Sequence, residues 1–134
     1  MADAIDIRGG VFKNGSATLV ARIVGADGSV IQQADVSAIA YTIYRVDPND
    51  ADGDTAIDGH EGVAVTVADV IFDTLQTGDL WDVDDTGYNF KHVIDVGTNA
   101  AFAVAGATYR VVYTLTSADA DDLRNLVRFR VVAI

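Results

Sequence analysis

Gly106-Ala-Thr-Tyr-Arg-Val-Val-Tyr-Thr-Leu-Thr116 is the stretch that decides the fold. It is dense in β-branched and aromatic residues, and neither Gly nor Pro interrupts it after Gly106, which is the composition of a strand. The two-residue period of a strand places Tyr109, Val111, Tyr113 and Leu115 on one face and Thr108, Arg110, Val112 and Thr114 on the other. Gly106 three residues before Tyr109 suits a strand rising from a turn, with the Tyr109 hydroxyl bonding back to that turn. A tyrosine in this position marks a central strand late in the chain of a Greek-key sandwich.

Working outward, the same alternation recurs. Leu126 to Ile134 is the cleanest case, with Val127, Phe129, Val131 and Ala133 inward and Arg128 and Arg130 outward. Residues 88–96 place Tyr88, Phe90, His92 and Ile94 on one face and Asn89, Lys91, Val93 and Asp95 on the other. Residues 38–46 place Ile39, Tyr41 and Ile43 together, ending at Asp47-Pro48, since proline stops regular pairing. Ser16 to Val24 reads as a strand covered on both faces, because Val20 and Val24 lie opposite Leu19, Ala21 and Ile23. Ile5-Asp-Ile-Arg8 is a short first strand that Gly9-Gly10 breaks, and residues 1–10 form a candidate contact arm. Val63 to Val67 is a further strand, and residues 70–72 a minor one. Gln32 to Ser37 reads as one helical turn or a crossing loop, and Ser117 to Arg124 as a polar turn with helical character. Asp73 to Asp85 reads as irregular, and Phe102 and Val104 as plugs at the edge of the core. The sum is about seven main strands in one all-β antiparallel sandwich domain spanning residues 1–134.

With 134 residues the chain is long enough to bury a sizeable core. Twenty Asp and Glu against nine Lys and Arg give a formal charge of -11, which argues against nucleic acid and anionic membrane as direct ligands. There is no Cys, so disulfides, thiolate catalysis and cysteine zinc sites are excluded. The first seven residues lack the basic-then-apolar pattern of a secretory leader, so folding in a cytoplasm is the expectation.

Four places carry candidate chemistry. Asp50, Asp52 and Asp54 cluster as calcium ligands do, but the EF-hand template fails. With Gly53 in its sixth place, the first ligand falls on Pro48 and the twelfth on Gly59. A weak calcium site is set against a solvated loop, residues 49–62 being read as a long surface loop. Trp81, beside Asp82, Asp84 and Asp85, is a lid on the sandwich or, less favoured, a flat platform for sugar. His92, on the face of Phe90 and Ile94, reads as an interior or boundary histidine, and His60 sits beside Glu61 in the acidic loop. No Gly-x-Ser-x-Gly elbow, phosphate-cradling loop or His-Glu-x-x-His occurs, so the expectation is a protein that is not an enzyme and needs no cofactor.

The segment Trp81-Asp-Val-Asp-Asp-Thr-Gly-Tyr-Asn-Phe-Lys-His92, the strand at 106–116 and the closing Val-Arg-Phe-Arg-Val131 resemble small immunoglobulin-like proteins encoded among phage structural genes. The front half fits the same outline. The resemblance implies a role in a virion, as head decoration, neck or baseplate component or fibre-docking domain. Partners would be other virion proteins and copies of the chain itself. The resemblance carries over no residue-level site; the residues themselves offer Ile5, Asp6, Ile7 and Arg8, and Arg128 and Arg130, cations on an acidic molecule suited to an acidic partner, as candidate contacts. Two other classes stay open: an extracellular adhesion module that binds sugar or calcium through its acidic loops, and a small hydrolase.

Overall fold

The structure is a computed structural model that describes residues 6–24, 28–47, 49, 53–78, 81, 85–118 and 124–134. In chain order its elements are β1 (Asp6–Val11), β2 (Thr18–Ala21), a 3-10 turn (Gln33–Asp35), β3 (Val36–Arg45), β4 (Thr55–Ala56), β5 (Val63–Val65), α1 (Val67–Val70), β6 (Ile71–Gln76), β7 (Tyr88–Val93), β8 (Thr108–Ser117) and β9 (Arg124–Ala133). Two sheets pack against each other. The larger runs β1-β9-β8-β3-β4, with β5 also on β3; the smaller runs β2-β7-β6. The protein is thus a mainly-β sandwich with one short helix.

β8 is the centre of the larger sheet. Tyr109, Val111, Tyr113 and Leu115 are all at most 1% exposed, as the two-residue period requires. β3 runs antiparallel on one side, aligning Ile39 with Leu115, Tyr41 with Tyr113 and Ile43 with Val111. β9 lies on the other, aligning Phe129 with Val111 and Val131 with Tyr109. The smaller sheet closes over this face with Leu19, Ala21, Ile71 and Phe90, and Ile94 follows β7 into the same core. The rings of Phe90 and Tyr113 meet edge to face at 4.9 Å, and those of Tyr113 and Phe129 at 5.8 Å. Each such side chain taken from water stabilises the fold by roughly 1.5–3 kcal/mol.

The turn before β8 also behaves as its sequence implies. Gly106 has φ +85, a left-handed conformation that costs glycine little. The Tyr109 hydroxyl reaches back to accept a hydrogen bond from the Val104 N–H at 3.1 Å. Phe102 packs edge to face on Tyr109 at 5.3 Å and is fully buried. Val104 does not plug the core. It is 41% exposed, because its backbone is spent on the tyrosine corner at the rim.

Several expectations change. The about seven main strands are there as expected, and the two short strands β4 and β5 bring the number among the described residues to nine. The sandwich is not wholly antiparallel, because β1 runs parallel to β9, pairing Asp6 with Arg128, Arg8 with Arg130 and Gly10 with Val132. Residues 6–10 of the expected arm are therefore part of the larger sheet, and residues 1–5 lie outside the described ones. β2 stops at Ala21, and Val24, in an isolated bridge with Val30, is 51% exposed rather than covered on both faces. The strand read to Val67 stops at Val65. Val67–Val70 then makes one helical turn, closed by the Ile71 N–H on the Val67 carbonyl. The chain is leaving the larger sheet for the smaller one there, and a helical turn makes the corner. β6 then continues to Gln76 through residues read as irregular: it pairs with β7 at Ile71 and at Gln76 with a register shift between them, and Asp73 in that stretch accepts from the Gln33 N–H at 2.7 Å.

One buried polar side chain holds the smaller sheet to its neighbouring loop. Asn89 is fully buried although the alternation of β7 turns it away from Phe90. Its Oδ1 accepts from the Ile23 N–H at 2.7 Å, and its Nδ2 donates to the Ile23 and Ile31 carbonyls at 3.0 and 2.9 Å. It thus supplies the pairing that a further strand would give to residues 23–31. Asn89→Ala leaves these backbone groups without that partner, and each unsatisfied buried group costs about 1–3 kcal/mol. Urea denaturation of Asn89→Ala should show a loss of about 2–4 kcal/mol, whereas Thr74→Ala, on the exposed part of β6, should stay within about 0.5 kcal/mol of the parent.

Candidate functional site

Both histidines of the chain converge on two tyrosines between the sheets. The register of β3 on β8 sets Tyr41 beside Tyr113, with ring centroids 5.7 Å apart. His92 arrives from β7 in the opposite sheet, 5.2 Å from the Tyr41 ring and 5.5 Å from that of Tyr113. His60 arrives from the connection between β4 and β5, 6.0 Å from Tyr41. Each imidazole Nδ1 meets one phenol: His92 meets Tyr113 at 2.6 Å and His60 meets Tyr41 at 2.9 Å.

The network assigns the protons. His60 Nε2 lies 2.8 Å from the Asn99 carbonyl, which only accepts, so Nε2 carries the ring proton. In the neutral ring Nδ1 then accepts from the Tyr41 hydroxyl. Burial pushes the Tyr113 phenol well above its ordinary value, with a smaller contribution from Tyr41. Its hydroxyl therefore keeps its proton and donates it to His92 Nδ1. Burial also raises the Tyr41 phenol, and the Asp95 carboxylate adds to that. For His92 burial works the other way, disfavouring the imidazolium and lowering its pKa. The result is two phenol–imidazole bonds, of which Tyr113–His92 joins the larger sheet to the smaller and Tyr41–His60 fastens the β4–β5 connection to β3.

A cleft of about 560 Å³ opens beside this cluster, lined among others by Tyr41, Val63, Val65, Phe72, Lys91 and His92. It lies where β5 leaves the larger sheet and α1 turns the corner. Asp69 and Asp95 stand on it with Lys91, so it joins apolar walls to charges of both signs.

The sites expected from sequence fall elsewhere, and the structure gives most of them ordinary partners. Asp54 accepts from the Asp47 N–H at 3.1 Å through one oxygen and from Arg110 at 3.2 Å through the other. Asp50 and Asp52 lie outside the described residues, and among the described residues no three His, Cys, Asp or Glu side chains are grouped to hold a metal ion. Trp81 is partly buried, 5.8 Å from the Tyr88 ring, and the Arg22 guanidinium sits 5.9 Å from its centroid. That is a cation–π contact which covers the indole with the chain's own side chain. Arg22 also donates to the Gly87 carbonyl at 3.2 Å. Asp82 and Asp84 lie outside the described residues, and Asp85 is exposed.

His60 is the correction with most consequence. Residues 49–62, read as a surface loop, contain β4 and a histidine only 2% exposed. The His60 carbonyl also accepts from the Ile43 N–H, so the connection is fastened to β3 by backbone as well as side chain. The one local sign is the glycine pair around it: Gly59 and Gly62 have φ of +83 and +62, as tight turns on both sides of an inserted side chain need.

Two expected contact segments do come together. The β1–β9 pairing aligns Asp6 with Arg128, Ile7 with Phe129 and Arg8 with Arg130, while Ile5 lies outside the described residues. β8 extends the second row, since Arg110 is opposite Arg130. Arg8, Arg130 and Arg110 thus occupy consecutive register positions across three strands.

Comparison with family models, with curated proteins and with solved structures finds no match for this chain.

The histidine burial sets a pH dependence. Because the folded-state pKa of His92 is below the ordinary 6.5, the unfolded chain takes up this proton first as pH falls. The stability it contributes is therefore fully present above about pH 6.5 and is lost as pH drops toward the folded value. In an NMR titration the His92 ring signals should move below pH 6.5, and His92→Gln should flatten the slope of unfolding free energy against pH between roughly pH 7 and 5.5.

Proposed function

We propose that this is a non-enzymatic structural protein of a virion, a head decoration, neck or baseplate component acting through protein–protein contacts. The observation that carries the reading is the corner formed by β1 and β9. Phe12, Val132 and Ile134 are 77%, 41% and 69% exposed. They gather where the backbones of Val11 and Lys13 bond to Ile134, and the edge strand β1 runs directly beside them. Large apolar side chains collected at one edge mark a contact surface more often than scattered ones do. The arginine row lies on the same strands. The resemblance to phage immunoglobulin-like proteins supplies the kind of assembly, and the edge supplies the means of joining it.

Peptide mass fingerprinting of purified particles from the source should find this chain at a fixed stoichiometry to the major shell or tail protein. Complementation with Arg128→Glu/Arg130→Glu should lower its incorporation several-fold while circular dichroism still shows the parent's β-sheet spectrum. Particles without the chain would overturn the proposal.

A further inference from the structure

We infer that the cleft between β5, α1 and the end of β7 is a binding site for a small zwitterion with an apolar body, an apolar amino acid or dipeptide with both ends free. This goes beyond the contact reading above and is independent of it.

The cleft exists because the two sheets part at this end. β6 aligns with β7 at Phe90 and Tyr88 but not at Lys91, His92 or Val93, and β5 adds only three residues to the side of β3. α1 spans the gap between the sheets as a single turn. Residues of both sheets are left around a shared opening of about 560 Å³. Its floor is closed, since Tyr41 and Val70 are 5% and 2% exposed. Val63, Val65 and Phe72 stand half-buried around that floor. Size and lining are those of a small-molecule site, apolar walls with a few polar groups to fix orientation.

The polar groups are the specific part. His92 gives Nδ1 to the Tyr113 hydroxyl at 2.6 Å, so the neutral ring carries its proton on Nε2. That N–H has no partner among the described residues and is not sealed in by protein, and the ring lines the cleft. It is a donor presented to whatever enters. Asp95 spends one carboxylate oxygen on the Gly97 N–H at 2.8 Å and keeps the other free. Its charge, second to burial, raises the Tyr41 phenol, which places the carboxylate's field at the floor of the cleft. Among the described residues neither the Asp69 carboxylate nor the Lys91 ammonium has a side-chain partner, and both residues lie on the cleft.

Charge complementarity then selects the ligand. Covering a charge without giving it a partner costs free energy. A neutral apolar molecule covers two carboxylates, an ammonium and an imidazole N–H and matches none of them. A simple anion meets two carboxylates, and a simple cation meets Lys91. A zwitterion satisfies all four groups: its ammonium stands with Asp69 and Asp95, its carboxylate with Lys91 and the His92 N–H. Its apolar body then lies on Tyr41, Val63 and Phe72. A metal ion is a poorer occupant, because among the described residues no three His, Cys, Asp or Glu side chains are grouped to hold one.

The test is an NMR titration of the intact chain with the dipeptide Leu-Phe and with phenylalanine, each up to about 10 mM. Either should move the His92 ring and Tyr41 signals to saturation, and the tighter of the two identifies the source. Removing one ligand charge, by N-acetylation or by amidation of the carboxylate, should weaken binding about fivefold. Asp95→Asn, which keeps an oxygen for the Gly97 N–H, should shrink the penalty for N-acetylation and leave that for amidation. Lys91→Gln should do the reverse. A variant merely damaged in folding would weaken every ligand alike. The inference is overturned if neither zwitterion moves the His92 signals, or if the N-acetyl dipeptide amide binds as well as the free dipeptide, which would make the cleft an apolar groove alone. It is equally overturned if either variant leaves both penalties unchanged.

Discussion

The buried tyrosines of the inner face impose the constraint on which the rest of the structure depends. Tyr109 and Tyr113 face the core because the period of β8 leaves them no choice. Their rings add a large apolar area, but a buried hydroxyl without a partner would cost about 1–3 kcal/mol. Each hydroxyl therefore recruits a group from outside its own strand. Tyr109 takes the Val104 N–H, which anchors the turn before β8. Tyr113 takes His92, which ties the larger sheet to the smaller. Tyr41 on β3 takes His60, whose other nitrogen holds the Asn99 carbonyl. Asn89 repeats the device for the backbone near Ile23 and Ile31. The polar groups of the interior are thus the fasteners by which long connections are held to two sheets.

This arrangement separates the two sides of the larger sheet. The inner side is committed to core and fasteners, and its phenols and imidazoles are spent mainly on one another. The outer side and the β1 edge carry the unusual features, a line of arginines in an acidic molecule and a corner of exposed Phe12, Val132 and Ile134. Folding alone favours neither. Like charges in register weaken a sheet, and exposed apolar groups gain nothing in water.

Much of the architecture was legible in the residues. The faces of β8, β3 and the core end of β9 follow from alternation, because one face of each is buried and the other is not. The tyrosine corner follows from Gly106 and Tyr109. β6 was not legible, since Asp73 and Thr74 lie on its exposed part and show no apolar rhythm. The helical turn at Val67–Val70 was hidden by valines, which favour strands locally. Of the site, His92 was placed beside the interior by its neighbours Phe90 and Ile94. His60 was not, because its local surroundings are acidic and glycine-rich and its burial depends on Tyr41 and Asn99, 19 and 39 residues away.

Sequence by itself determined the class of the molecule, the identity of its central strands and the faces they bury, because side-chain period and burial are local properties of a strand. Tertiary structure alone decided that β1 lies parallel to β9, that three arginines stand in one line, and that both histidines meet two tyrosines between the sheets. Those facts depend on which distant segments pair and in what register. That choice is made by the fit of whole sheets around a shared core and leaves no mark on any short stretch of chain.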